Sequence, residues 1–439
     1  MLMRARGAVE GLRAREFSRL DRAGTAYLDY TGAALYPASL VRRDARRLLA
    51  AVRGNPHAAS GPSLASTAVI ERARMLTLQF VGADPDQYEV VFTANASGAI
   101  RAIAEAFPFG RHSRLVLTAD NHNSVNGLAW PARRARARVT LMPLADSLRG
   151  ADPLPALPRA NAPSLFAYPA QSNFSGVRHP LGWVEAAQAR GYRVLLDAAS
   201  FAPGARLDLA ATPADFVALS FYKIFGYPTG IGALVARRDA LAQLRRRYFA
   251  GGTVDYVSME HRLVQPKAGA ARFEDGTASF LAMDAVCDGL QWMARLGVEA
   301  VAAHAATMTG RLLDALRQAG ETVVVYGPRD LDARGGTVAF NVYRRGEVVP
   351  YEDVEAAARA QGIAIRGGCF CNPGAAAHAF GLDPAQTRAC LEREFSIARF
   401  RACMAGRPVG ALRASVGMAT NERDIDRLAE CIRMVAHAA

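Results

Sequence analysis

VLLDAASFAPGARLDLAATPADFVALSFYKIFGYPTGIGA, residues 194–233, is the stretch whose reading decides the fold. It reads as two buried strands, VLLDAAS and DFVALSFYK, each an apolar run that closes on polar residues. In an open α/β sheet, ligands gather beyond the carboxyl ends of the strands, so Asp197 and Lys223 are expected to share one pocket.

Composition sharpens this expectation. Of 53 lysines and arginines, only Lys223 and Lys267 are lysines, and Lys267 falls in the turn-like segment QPKAGAAR. A guanidinium stays protonated and forms no imine, whereas a lysine amine can lose its proton to its surroundings. A lysine kept between a strand and a Gly-rich turn, opposite an acid, therefore points to an aldehyde cofactor. Pyridoxal phosphate fits, held as a Schiff base on Lys223 with Asp197 against its pyridinium nitrogen.

With 439 residues, 51% of them apolar, the chain can bury a large core. A large domain over residues 20–270 and a smaller one from residues 1–19 and 271–439 are expected. No run reaches the roughly 18 apolar residues of a membrane span, and MLMRARGAVEGLRAREF lacks the apolar centre of a secretory signal and reads as a helix. The expected location is cytoplasmic. Six cysteines are too few for a disulfide framework, so reduced thiols are expected. The net charge of +13 is spread over helix faces without a nucleic-acid module, which favours a solvated basic surface over a nucleic-acid partner.

Strand and helix patterns alternate from about residue 85 to 235, predicting an α/β fold with a doubly wound, mostly parallel sheet. In YEVVFTANASGAIRAIAEAF a strand runs through a small-residue turn into a helix, so Ala96 and Ser97 are candidates to seat a phosphate. His122, just past the strand LVLT, could stack on a flat ring and shuttle protons or be a satisfied loop histidine. Asn173, at the end of SLFAYPAQSN, could donate to a phenolic oxygen of the cofactor or simply form a turn. Thr277 precedes a helix and is a second phosphate candidate, reaching in from a neighbouring subunit.

From about residue 300 the pattern becomes α+β. Cys369 and Cys371 form a C-x-C in a loop rich in Gly, Asn and Pro. His378, Cys390 and Cys403 could complete a metal site, but no second closely spaced pair accompanies them, so no metal is expected. A nucleophilic thiol near a helix N-terminus is the stronger reading. Arg413, in LRASVGM, faces no obvious acid in the sequence and suits a substrate carboxylate.

Taken together, YLDYTGAALYP, GNPH, FTANASGAI, FAYPAQSNFSG, LLDAAS, ADFVALSFYKIFGYPTGIGALVARRDAL, FEDGT and GGCFCNPGA resemble the class V aminotransferase superfamily, pyridoxal-phosphate enzymes of fold type I. The nearest likeness is to the cysteine-desulfurase-like domain of molybdenum cofactor sulfurases, over roughly residues 25 to 435. The resemblance implies a homodimeric cysteine desulfurase that converts L-cysteine, or a related sulfur or selenium amino acid, to alanine and passes sulfur to an acceptor. Lys223 would carry the Schiff base, Asp197 the pyridinium, His122 the stacked ring, and Asn173 the phenolic oxygen or the substrate. Ala96, Ser97 and Ser220 would hold phosphate, with Thr277 of the other subunit; Cys371 would bear a persulfide, and Arg413 would bind the substrate carboxylate. Asn95 stands where glycine is usual, Ser97 where threonine is common, and Ala376 where a cysteine is frequent. The resemblance covers the desulfurase-like part alone. Other chemistries of the superfamily, a C–S or C–Se β-lyase or an aminotransferase or epimerase, remain alternatives, as does a binding protein on a catalytically dead fold.

Overall fold

The computed structural model describes residues 9, 11–391 and 396–438. Its central sheet has seven strands: β1 (Tyr88–Thr93), β2 (Arg114–Thr118), β3 (Arg138–Met142), β4 (Ser164–Pro169), β5 (Tyr192–Asp197), β6 (Phe216–Ser220) and β7 (Gly232–Arg237). Their order is β1-β7-β6-β5-β4-β2-β3, and β7 runs antiparallel to its two neighbours while the other pairings are parallel. This is the mostly parallel α/β sheet that the alternating pattern predicts.

Strand periodicity divides the apolar residues between two cores. Phe166, Tyr168, Val194, Leu196, Val217 and Leu219 enter one, and Leu165, Ala167, Leu195, Phe216 and Ala218 enter the other. Helices Gly61–Phe80 and Met283–Leu296 cover the first face through Ile70, Ala73, Leu290 and Met293. Helix Ala96–Ala106 covers the second through Ala99, Ile100 and Ile103. Continuous apolar runs in the middle strands are what a sheet buried on both faces requires. Leu12 of helix Leu12–Glu16, with Phe17 and Leu20, joins the first core; the rest of the expected N-terminal helix, residues 1–8 and 10, lies outside the described residues.

The second strand of the opening stretch is shorter than expected. β6 stops at Ser220, and Lys223 sits in one helical turn, Phe221–Phe225. Phe221, Ile224 and Phe225 are the buried residues of that turn, at helical spacing. In an apolar run this short, that spacing cannot be told from a strand. Gly226, with φ +80°, closes the turn against residues 35 and 36, where a Cβ would lie 2.4 Å from the Tyr36 nitrogen.

A second sheet contains β8 (Val323–Tyr326), β9 (Thr337–Arg344), β10 (Arg366–Gly368) and β11 (Ala411–Ser415), in the antiparallel order β8-β9-β11-β10. Val338, Phe340, Leu412 and Ala414 pack on Leu312 and Leu316 of helix Val298–Gln318 and on Ile425 and Leu428 of helix Glu422–Ala436. Asn421 and Asp424 cap that last helix reciprocally, as a capping box. Ala339 and Ala411 belong to a further core with Phe174, Phe370 and Phe380. Strand alternation turns Arg413 to this side, with its guanidinium 4.7 Å from the centre of the Phe370 ring.

The expectation of reduced thiols is corrected at one place. Cys390 and Cys403 form a disulfide, with Cα atoms 6.0 Å apart. Two short helices, Pro384–Leu391 and Ile397–Cys403, bring them together, which sequence spacing did not reveal. That bond also withdraws two of the candidate metal ligands; among the described residues no cluster of three metal-ligating side chains occurs. No helix among them is long and apolar enough to cross a membrane.

Gly226→Ala should lower stability by about 2–4 kcal/mol, because it adds a backbone clash to an unfavourable φ. Gly230→Ala, also at positive φ but with open space around its Cβ position, should cost about 1 kcal/mol. Thermal unfolding of the two variants side by side checks this difference.

Candidate active site

Seven of the predicted residues line one cavity of about 110 Å³: Ala96, Ser97, His122, Asn173, Asp197, Ser220 and Lys223. Asp197 and Ser220 are the last residues of β5 and β6, and Lys223 stands on the helical turn beyond. The loops after β2 and β4 deliver His122 and Asn173. Every contributor thus leaves the carboxyl end of a parallel strand or begins the helix after β1.

At the first wall, Asn95 caps helix Ala96–Ala106 by accepting from the Gly98 N–H at 3.0 Å. The Ala96 N–H donates to the Ser220 hydroxyl at 2.9 Å, and the Ser97 and Ser124 hydroxyls lie 2.6 Å apart. Hydroxyls and a helix N-terminus facing one cavity make an anion seat. Asn95 is a capping residue here, so its departure from glycine leaves the seat intact.

Lys223 faces Asp197 across the cavity. Burial lowers the amine's pKa; Asp197 opposes this, while Arg413 and Arg366 reinforce it. Asp197 is buried and accepts from the Ala199 N–H at 3.0 Å. The Nδ1 of His122 accepts from the Ser124 N–H at 3.1 Å, which leaves the proton of a neutral ring on Nε2. Burial is the main cause holding that imidazole below its ordinary pKa, with Asp197 opposing and Lys223 and Arg413 assisting.

Arg413 is buried, 3% exposed, and does have an acid: its guanidinium donates to Asp29 Oδ1 at 2.9 Å and to the Asn173 carbonyl at 3.0 Å. Arg366 holds the other oxygen of Asp29 at 2.7 Å. The sequence reading missed Asp29 because it lies 384 residues from Arg413. Gln171, also missed, lines the cavity and donates to the Ser200 carbonyl at 2.9 Å. Its position two residues before Asn173 was the available signal.

Asn173 is partly committed within the protein. Its amide donates to the Phe370 carbonyl at 2.7 Å, and its Oδ1 accepts from Asn372 at 2.9 Å. One amide hydrogen remains for a ligand. Cys371 is exposed and not part of the cavity wall, but its carbonyl accepts from the Asn123 N–H, next to His122, at 2.7 Å. Thr277 stands apart, on a separate hollow of about 400 Å³, with its hydroxyl accepting from Asn55 at 3.3 Å.

A buried amine with lowered proton affinity carries a stability consequence. The unfolded chain binds a proton at Lys223 more readily, so below the ordinary lysine pKa the folded state is penalised, and the penalty fades as pH rises toward about 10.4. Lys223→Met should therefore raise the thermal midpoint of the cofactor-free chain at pH 7, with a gain that shrinks by pH 10; equal gains at both values would contradict the assignment.

The family described as "Aminotransferase class-V" matches residues 26–428. The molybdenum cofactor sulfurase of Bos taurus is 36% identical over 95% of this chain and 51% of its own length. That of Chaetomium globosum is 38% identical over 97% of this chain and 57% of its own. The chain thus spans about half the length of these relatives. A cysteine desulfurase from Thermococcus onnurineus superposes with a TM-score of 0.81 at 23% identity, covering 98% of both chains, which reports a shared fold. The strand order, the lysine beyond β6 and a match across nearly the whole chain lead to one conclusion: this protein belongs to the class V aminotransferase family.

Proposed function

We propose that the chain is a pyridoxal-phosphate-dependent cysteine desulfurase. It takes L-cysteine, or a related sulfur or selenium amino acid, to alanine and hands the sulfur through Cys371 to an acceptor. The carrying observation is the enclosed Lys223 amine, with its lowered proton affinity, sharing a small cavity with Asp197 while the Cys371 loop is hydrogen-bonded to the cavity's own walls.

The residues fit the cofactor. Ala96, Ser97 and Ser220 offer N–H and hydroxyl groups to a phosphate, with Thr277 of a second subunit; Asp197 suits a protonated ring nitrogen, neutral His122 a ring face, and Asn173 a phenolic oxygen. Bound there, pyridoxal phosphate supplies an aldehyde that condenses with amines and a ring that withdraws electrons from the substrate's α-carbon. Lys223, once its amine is free and neutral, moves the α-proton as a general base, which its lowered pKa favours. Arg413 releases Asp29 to take the substrate carboxylate. The Cys371 thiolate attacks the substrate sulfur: an S–S bond forms, the Cβ–S bond breaks, and Cβ takes a proton. The net change is thiol plus cysteine to persulfide plus alanine, with no outside oxidant.

This reading divides the work between the two expected parts. Residues 20–270 supply the cofactor cradle apart from Thr277, and the part made of 1–19 and 271–439 supplies Thr277, Cys371 and Arg413. A homodimer is supported by exposed apolar side chains at Tyr248, Tyr256, Met259 and Leu263. We place the protein in the cytoplasm, with neither nucleic acid nor membrane as partner.

Incubation with L-cysteine followed by peptide mass spectrometry should find one added sulfur on the Cys371 peptide, with stoichiometric alanine. Cys371→Ser should abolish both while keeping the visible absorbance of the holoprotein, and Lys223→Ala should abolish that absorbance. Turnover retained in Cys371→Ser identifies a β-lyase instead; transamination without sulfur release identifies an aminotransferase.

A further inference from the structure

The segment bearing Cys371 is held in an unfavourable backbone shape by a buried polar cluster that lies behind the cavity. Phe370 and Cys371 are consecutive non-glycine residues at φ 55° and 57°. Such conformations persist where the surroundings over-determine them, and they cluster at functional loops. Here the Phe370 carbonyl accepts from Asn173 at 2.7 Å and the Cys371 carbonyl from the Asn123 N–H at 2.7 Å. The next residue, Asn372, is completely buried and spends its whole side chain inside the protein. Its amide donates to Asp120 Oδ1 at 2.6 Å and to Asn173 Oδ1 at 2.9 Å, and its carbonyl accepts from the Ala375 N–H at 3.2 Å.

Asp120 is the centre of that cluster. It is completely buried, and its Oδ1 also accepts from the Ser172 hydroxyl at 2.8 Å. Its Oδ2 accepts from His179 Nε2 at 2.8 Å, and the His179 ring stacks on Trp183 with centroids 5.4 Å apart. One carboxylate thus ties together the loop after β2, which carries His122, the loop after β4, which carries Asn173, and the cysteine segment. The seat has no slack: a Cβ on Gly374 would lie 2.1 Å from the Ala119 carbonyl oxygen. Asp120 itself does not line the cavity.

We infer that Asp120 is a positioning residue for sulfur transfer: through Asn372 it holds the strained Cys371 segment over the site, while His179 and Ser172 hold Asp120. The inference rests on the desulfurase reading for its chemistry, though not for its structural half. Asp120→Ala removes both carboxylate oxygens, so His179, Ser172 and Asn372 lose their shared acceptor together.

The test uses the holoprotein and measures two things. In Asp120→Ala, amide hydrogen exchange across residues 369–373 should quicken by about tenfold or more with the core strands unchanged. Persulfide formation on Cys371 should slow by about 10- to 100-fold, while the spectral change that reports cysteine binding keeps its wild-type rate. Should Asp120→Ala fold poorly, Asn372→Ala removes the same contact from the loop side and should give the same split. Where both fold, the double variant should be no slower than the worse single one. Unchanged loop exchange overturns the inference, and so does equal slowing of binding and sulfur transfer, or multiplicative effects in the double variant. If the wild type forms no persulfide, the desulfurase reading falls by itself, and the exchange measurement still decides whether Asp120 anchors the segment.

Discussion

The constraint behind this structure is the burial of one primary amine beside one carboxylate at the ends of two adjacent strands. Burial disfavours the charged form of Lys223, and Asp197 alone does not restore it, because Arg413 and Arg366 push the same way as burial. An amine in that position is poised between a cation and a nucleophile. A buried charge beside a flexible wall would be relaxed away, so the site needs a rigid scaffold. The parallel sheet supplies one: β5 and β6 are hydrogen-bonded with Asp197 opposite Ala218, and both faces of the strands are packed.

Around this pair, the surrounding polar groups are compensated in ways that tie distant segments together. The Arg413 guanidinium, inside the protein, is balanced by Asp29, by the Asn173 carbonyl and by the face of Phe370. Removing one partner from such a group leaves an uncompensated buried charge, which is why these contacts order the chain strongly even where their net contribution is small. The same logic applies to Asp120, whose carboxylate has three donors from two other segments. The Cys371 segment is thereby attached to the very loops that present His122 and Asn173.

Much of this was legible in the chain. Alternating strand and helix patterns predicted the sheet, and the near absence of lysine singled out Lys223. Ala96, Ser97, His122, Asn173 and Asp197 were each readable as residues at strand ends or helix starts, Ser220 came only with the family resemblance, and they do converge. What could not be read was pairing across long separations. Asp29 with Arg413, Asp120 with Asn372, and Cys390 with Cys403 have no local signature, since nothing in a single sequence records which loops meet. Lys223 itself was assigned to a strand because an apolar run of five residues carries both periodicities.

Local sequence therefore determined most element types, the faces they bury and the chemical identity of the groups near the strand ends, because propensity and periodicity act over a few residues. The tertiary structure decided which of those groups share a dielectric environment and which polar side chains compensate one another. Those quantities depend on distances in space, and Lys223 acquires its lowered pKa only when the folded chain removes water from around it.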